Sequence, residues 1–128
     1  LNAMIVDSTA LPEQAVQAIV ESAFQSAGQR CSALRCLYVQ EDVAETVLEM
    51  LFGAMEDLAP GEPWHLSTDI GPVIDAEAQK DISAYTAQQE AAGKLLKSLP
   101  VPLSVSEPTV MILREMPGLV MVKCPSRP

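Results

Sequence analysis

Cysteine and histidine are scarce: Cys31, Cys36, Cys124 and a single histidine, His65, in 128 residues. No CxxC pair and no His-spaced cysteine occurs, and an odd thiol count leaves one over in any disulfide framework. Free thiols in a reducing, cytoplasmic compartment are therefore expected, and no metal site, because nitrogen and sulfur ligands are too few. Cations are few as well, 8 Lys and Arg against 17 Asp and Glu, giving a formal charge of −9. Binding a phosphate backbone needs clustered Lys and Arg, so nucleic acid is not an expected partner. The chain has no apolar run of the ~18 residues that a membrane span needs, and no basic segment leads into an apolar one as in a signal peptide. Gly53, Gly61, Gly71 and Gly93 stand singly rather than in a phosphate-cradling loop, so no residue is assigned to cofactor binding.

What the chain does have is apolar residues, 48% of the total, enough for one core at this length. It starts at Leu1, with Met4 inside an apolar run, and so reads as an excerpt rather than a natural start. Residues 1–98 hold 5 basic and 15 acidic side chains, whereas 99–128 hold 3 and 2, together with six of the ten prolines. The expected division is an α/β unit over 1–98 and a Pro-rich tail over 99–128.

The first unit alternates strand and helix signals. Ala3-Met-Ile-Val6 is a short apolar run ended by Asp7-Ser8-Thr9. Pro12 suits a first helical turn, and Val16, Ile19, Val20, Ala23, Phe24 and Ala27 then form one stripe up to a stop at Gly28. Leu34-Arg-Cys-Leu-Tyr-Val39 reads as a second strand, with Cys36 buried in it. Asp42 and Glu45 resemble a capping box that opens a second helix lined by Val43, Val47, Leu48, Leu51, Phe52, Met55 and Leu58. A loop follows, then Asp75 as the cap of a third helix carrying Ala78, Ile82, Tyr85 and Gln89 up to Gly93, and a strand from Leu95. The order β-α-β-α-α-β predicts α/β architecture with parallel strands. In the tail, Val110–Leu113 and Leu119–Val122 form a hairpin-like pattern around Met116-Pro-Gly118.

Chemistry concentrates at Gly28-Gln29-Arg30-Cys31-Ser32, where a helix ends and a turn delivers a cysteine beside an arginine. Arg30 could favour a thiolate, the form that attacks a carbonyl carbon, and backbone N–H groups at such a turn could hold an oxyanion. On spacing alone a single cysteine near a glycine is more often a packing thiol, and Ser32 equally fits a turn cap. His65 in its loop reads as a surface residue, and Glu41-Asp42 and Glu56-Asp57 as solvated helix ends rather than an acid/base pair.

Gly28-Gln29-Arg30-Cys31 resembles the G-Q-x-C nucleophile motif of the aldehyde dehydrogenase superfamily. Asn2-Ala-Met-Ile-Val-Asp7, Leu37-Tyr-Val-Gln40 and Asp69-Ile-Gly-Pro-Val-Ile74 agree with it in order and separation, over about residues 1–95. Within the superfamily the sequence is most similar to the pyrroline-5-carboxylate dehydrogenase module of the bifunctional proline utilization A enzymes. The resemblance implies an incomplete piece of a parallel-sheet catalytic domain that oxidises glutamate semialdehyde to glutamate with NAD. Cys31 would be the catalytic nucleophile, forming a thiohemiacetal whose oxyanion is held by its own N–H and an asparagine elsewhere. Hydride would pass to the nicotinamide, and water would cleave the thioester. Arg30 and Ser32 would be substrate-binding residues, Ser32 through the substrate carboxylate. The resemblance places the general-base glutamate and the dinucleotide-binding domain outside these residues, so the chain alone is expected to be inactive. FAD would belong only to the proline dehydrogenase domain of a bifunctional parent, a homo-oligomer whose partner here is a small aldehyde. Residues 99–128 do not match the family pattern, which leaves a frameshift or chimeric end open. Two alternatives stand: an aldehyde dehydrogenase of other substrate preference, and a non-catalytic α/β association module.

Overall fold

A computed structural model describes residues 2–98, 112–116 and 119–121. Along the chain run β1 (Ala3–Val6), α1 (Pro12–Phe24), a short 3-10 segment (Gln25–Gly28), β2 (Cys36–Gln40), α2 (Glu41–Glu56), α3 (Ala76–Ala91), β3 (Leu95–Lys97), β4 (Ile112–Met116) and β5 (Leu119–Met121). The expected β-α-β-α-α-β order holds through β3. β1 and β2 are parallel, with Ala3 opposite Cys36 and Val6 opposite Val39, as a β-α-β unit requires.

The sheet order is β1-β2-β5-β4-β3, and it is mixed rather than parallel throughout. β5 runs antiparallel to β2, β4 to β5 and β3 to β4. The third strand therefore lies not beside the parallel pair but at the opposite edge. The pairing of β4 with β5 accords with the hairpin-like pattern in the tail; the remaining tail residues, 99–111, 117–118 and 122–128, fall outside the described residues.

Each helix forms for a legible reason, though two of the predicted signals work differently. Pro12 occupies the first turn of α1, where its missing N–H costs nothing. The regular helix stops at Phe24, four residues before Gly28, because Ser26 (φ 56°) and Ala27 (φ 53°) already turn left-handed. β2 starts two residues later than expected, since the Leu34 N–H bonds to the Ser22 carbonyl of α1 at 3.1 Å rather than to a strand. α2 has no capping box: Gln40 precedes it, and the Asp42 carboxylate accepts from Gln40 Nε2 at 2.7 Å instead of from the backbone. Asp75 does cap α3, its Oδ1 accepting from the Ala78 N–H at 2.7 Å.

The core forms where α1 and α2 pack together over the Val6, Leu37 and Val39 side of the sheet. Ile19, Leu37, Val39, Val47, Leu51 and Met55 are fully buried there. Burial of such a side chain is worth about 1.5–3 kcal/mol. α3 buries no residue; its stripe of Ala78, Ile82, Tyr85 and Gln89 is only half-buried. Between α2 and α3 the loop is laced internally: Asp69 Oδ2 accepts from the Ala59 N–H, and Thr68 Oγ1 donates to the Glu62 carbonyl. The loop presents Trp64 (90% exposed) and Leu66 (107%) to solvent, and buries Ile70 and Val73 at its far end.

Candidate active site

The loop carrying Cys31 begins with three consecutive left-handed residues, Ser26, Ala27 and Gly28 (φ 68°). Only glycine adopts that conformation freely; for Ser or Ala it costs about 1–2 kcal/mol each. The reversal ends α1 abruptly and swings the chain toward β2. A tight turn follows, closed by the Ala33 N–H donating to the Arg30 carbonyl at 3.1 Å, with Cys31 and Ser32 at its two central positions. Both side chains are exposed. Among the described residues, the N–H groups of Cys31 and Ser32 have no acceptor, so both remain free to donate.

Two side-chain amides fasten this turn. Gln29 Oε1 accepts from the Ile74 N–H at 2.7 Å, while its Nε2 donates to the carbonyls of Ser26 (3.1 Å) and Pro72 (3.4 Å). Gln29 thus joins two segments that sequence reading singled out separately, the G-Q-x-C motif and Asp69–Ile74. On the opposite side Asn2 Nδ2 donates to the carbonyls of Cys31 (2.7 Å) and Ala33 (3.0 Å). Neither Asn2 nor Gln29 carries a role in the sequence reading. The signal was their membership in motif segments, but the bonds span 29 and 45 positions, which no local pattern encodes.

Arg30 reaches back to α1. Its Nη2 donates to the Glu21 carbonyl at 3.1 Å, near the end of α1 where a cation is favourable. Its buried Nε has no hydrogen-bond partner among the described residues. Ser32, the other expected substrate-binding residue, presents a hydroxyl that has no hydrogen-bond partner among the described residues and can donate to an arriving anion. Cys36 is buried in β2, where it shares a face with Tyr38. The Cys36 side chain, by hydrogen bonding first and charge second, pushes the Tyr38 phenol above its ordinary value. His65 is exposed in its loop. Glu56 pairs with Lys97, and Asp42 is occupied by Gln40, so neither pair of adjacent acids forms an acid/base site. No group of three or more His, Cys, Asp or Glu among the described residues is placed to hold a metal, and no helix there is long and apolar enough to cross a membrane.

An exposed cysteine whose own N–H has no acceptor among the described residues has what addition to a carbonyl carbon would need, a free thiol beside a free donor. The aldehyde dehydrogenase family model matches residues 1–110. The chain belongs to the aldehyde dehydrogenase family. It is 56% identical over 94 residues to the bifunctional protein PutA of Klebsiella aerogenes, covering 73% of this chain and 7% of that protein. Against the 1-pyrroline-5-carboxylate dehydrogenase of Anoxybacillus flavithermus it is 39% identical over 95 residues, covering 74% of this chain and 18% of that one. Among solved structures, a mutant of proline utilization A from Bradyrhizobium japonicum superimposes with a TM-score of 0.82 at 48% identity, over 89% of this chain and 12% of that chain. The chain thus spans a small fraction of the length of the curated relatives that it matches.

Proposed function

We propose that these residues carry the nucleophile of an NAD-dependent dehydrogenase that oxidises L-glutamate 5-semialdehyde to L-glutamate in proline catabolism. The observation that carries this reading is the Cys31 turn: an exposed thiol whose own backbone N–H has no acceptor among the described residues. The names of the relatives, PutA and 1-pyrroline-5-carboxylate dehydrogenase, support the substrate. Cys31 Sγ, as thiolate, adds to the aldehyde carbon, and the Cys31 N–H donates to the oxygen that becomes negative. The Ser32 hydroxyl donates to the far carboxylate of the substrate. Arg30 holds the loop to the Glu21 carbonyl through Nη2, and we keep it with Ser32 as a residue on the substrate side of the turn.

NAD is the oxidant implied by the family, yet its fit to these residues fails. Among the described residues, the glycines stand singly and the helices starting at Pro12, Glu41 and Ala76 open without a Gly-rich turn, so none of them forms a dinucleotide cradle. Oxidation and thioester hydrolysis therefore belong to residues beyond this chain, which by itself should reduce no NAD. We place FAD, if the complete protein is bifunctional, in its proline dehydrogenase domain, and expect a cytoplasmic homo-oligomer. In the complete dehydrogenase, Cys31→Ala should lower turnover of glutamate semialdehyde at least about 1,000-fold, as loss of a covalent nucleophile does. Wild-type turnover by that variant would overturn the proposal.

A further inference from the structure

Asn2 stands just ahead of β1, and the backbone alone accounts for its part in the sheet. Its carbonyl accepts from the N–H groups of Arg35 (3.1 Å) and Cys36 (3.0 Å), which ties the start of β1 to the start of β2. Those bonds need no particular side chain. The side chain does something else: one primary amide spreads its two N–H groups over the Cys31 and Ala33 carbonyls. The two hydrogens of an amide nitrogen point apart in one plane. Only one orientation of the turn presents both carbonyls to them at once.

We propose that Asn2 is the positioning residue for the Cys31 nucleophile, its amide locking the peptide plane that follows Cys31. This deepens the dehydrogenase reading and rests on it. A peptide group is rigid, so fixing the Cys31 carbonyl fixes ψ of Cys31. The Ala33-to-Arg30 hydrogen bond closes the turn around it, and Gln29 holds the chain ahead of it from the side of Pro72 and Ile74. The Ala33 bond to the Arg30 carbonyl holds the peptide plane that carries the Cys31 N–H, and the Asn2 amide holds the plane after it. So φ and ψ of Cys31 are set together, and with φ the direction of its Cα–Cβ bond relative to that N–H, before substrate arrives. That relation decides whether the oxygen of the new adduct meets the N–H, and a misplacement of about 1 Å there can cost 100-fold. The chemistry also specifies the residue type. A carboxylate at position 2 has no donor, an alanine has none, and a serine has one.

The test compares Asn2→Ala and Asn2→Ser with wild type in two measurements. In the complete dehydrogenase, Asn2→Ala should lower kcat by about 10-fold or more while KM for the aldehyde stays within about twofold, the pattern of a lost transition-state arrangement. Asn2→Ser, retaining one donor, should recover part of that loss. In the 128-residue chain, hydrogen exchange of the Ala33 amide should accelerate about tenfold in Asn2→Ala, as two lost hydrogen bonds predict. Exchange along β2 should not change, because the backbone bonds to Arg35 and Cys36 remain. Unchanged kcat in Asn2→Ala overturns the positioning role and leaves the dehydrogenase reading intact. So does a kcat loss accompanied by faster exchange along β2, which would mean a strand defect. A wild-type enzyme without aldehyde turnover overturns the dehydrogenase reading, and the positioning role with it.

Discussion

Two side chains show how closely protonation follows local bonding. Asp7 sits just after β1, its carboxylate accepting from the Thr9 hydroxyl (2.6 Å) and the Thr9 N–H (2.9 Å), and these donors hold its carboxyl below the usual range. A depressed carboxyl contributes stability that is present above its unfolded value, about 3.9, and lost as pH falls through the folded value. Tyr38 works in the opposite sense. Its phenol is raised by the Cys36 side chain, through hydrogen bonding first and charge second. The neutral phenol is thus favoured in the fold; that contribution is complete below about pH 10 and lost as pH rises through the raised value. In a Tyr85→Phe background, where Tyr38 is the remaining tyrosine, Cys36→Ala should lower the pH at which phenolate absorbance appears. An unmoved titration midpoint would refute the coupling.

Among the elements, α2 and α3 contrast most. Both span 16 residues, yet α2 buries Ala44, Val47, Leu51 and Met55 whereas α3 buries none. Leu51→Ala should therefore cost about 2–5 kcal/mol in denaturant unfolding, while Ile82→Ala on the half-buried face of α3 should cost under half as much. Equal losses would contradict this division of the core. Periodicity revealed these helices because apolar spacing is a local property, and Asp75 revealed its cap because the bonded N–H lies three residues away. Asp42 misled for a matching reason: its spacing to Glu45 suits a capping box, but Gln40 claims the carboxylate first. The end of α1 was misplaced because glycine is the habitual left-handed residue, and here Ser26 and Ala27 adopt that conformation ahead of it. The Cys31 motif was legible as a string. The amides that hold it, from Asn2 and Gln29, were not, since each bond crosses a distance in sequence that only the folded chain closes.

At the scale of the whole molecule, the sheet places β2 between the parallel partner β1 and the antiparallel β5, so segments from opposite ends of the sequence share one layer. Residues before and after the 60–70 loop also meet through Gln29, whose amide spans Pro72 and Ile74, and through Ile70 in the common core. The backbone at the tip of that loop, bearing Trp64 and Leu66, contributes nothing to those junctions and is open to solvent. Chain continuity at that tip is consequently dispensable. A single chymotryptic nick after Trp64 or Leu66 should yield two polypeptides that co-elute as one particle in native chromatography and separate only in denaturant. Their separation under native conditions would show the halves to be held by the covalent thread alone. Should they stay together, the region becomes a split-protein pair, whose Cys31 turn is fully fastened only when the piece supplying Asn2 and Cys31 finds the piece supplying Ile74.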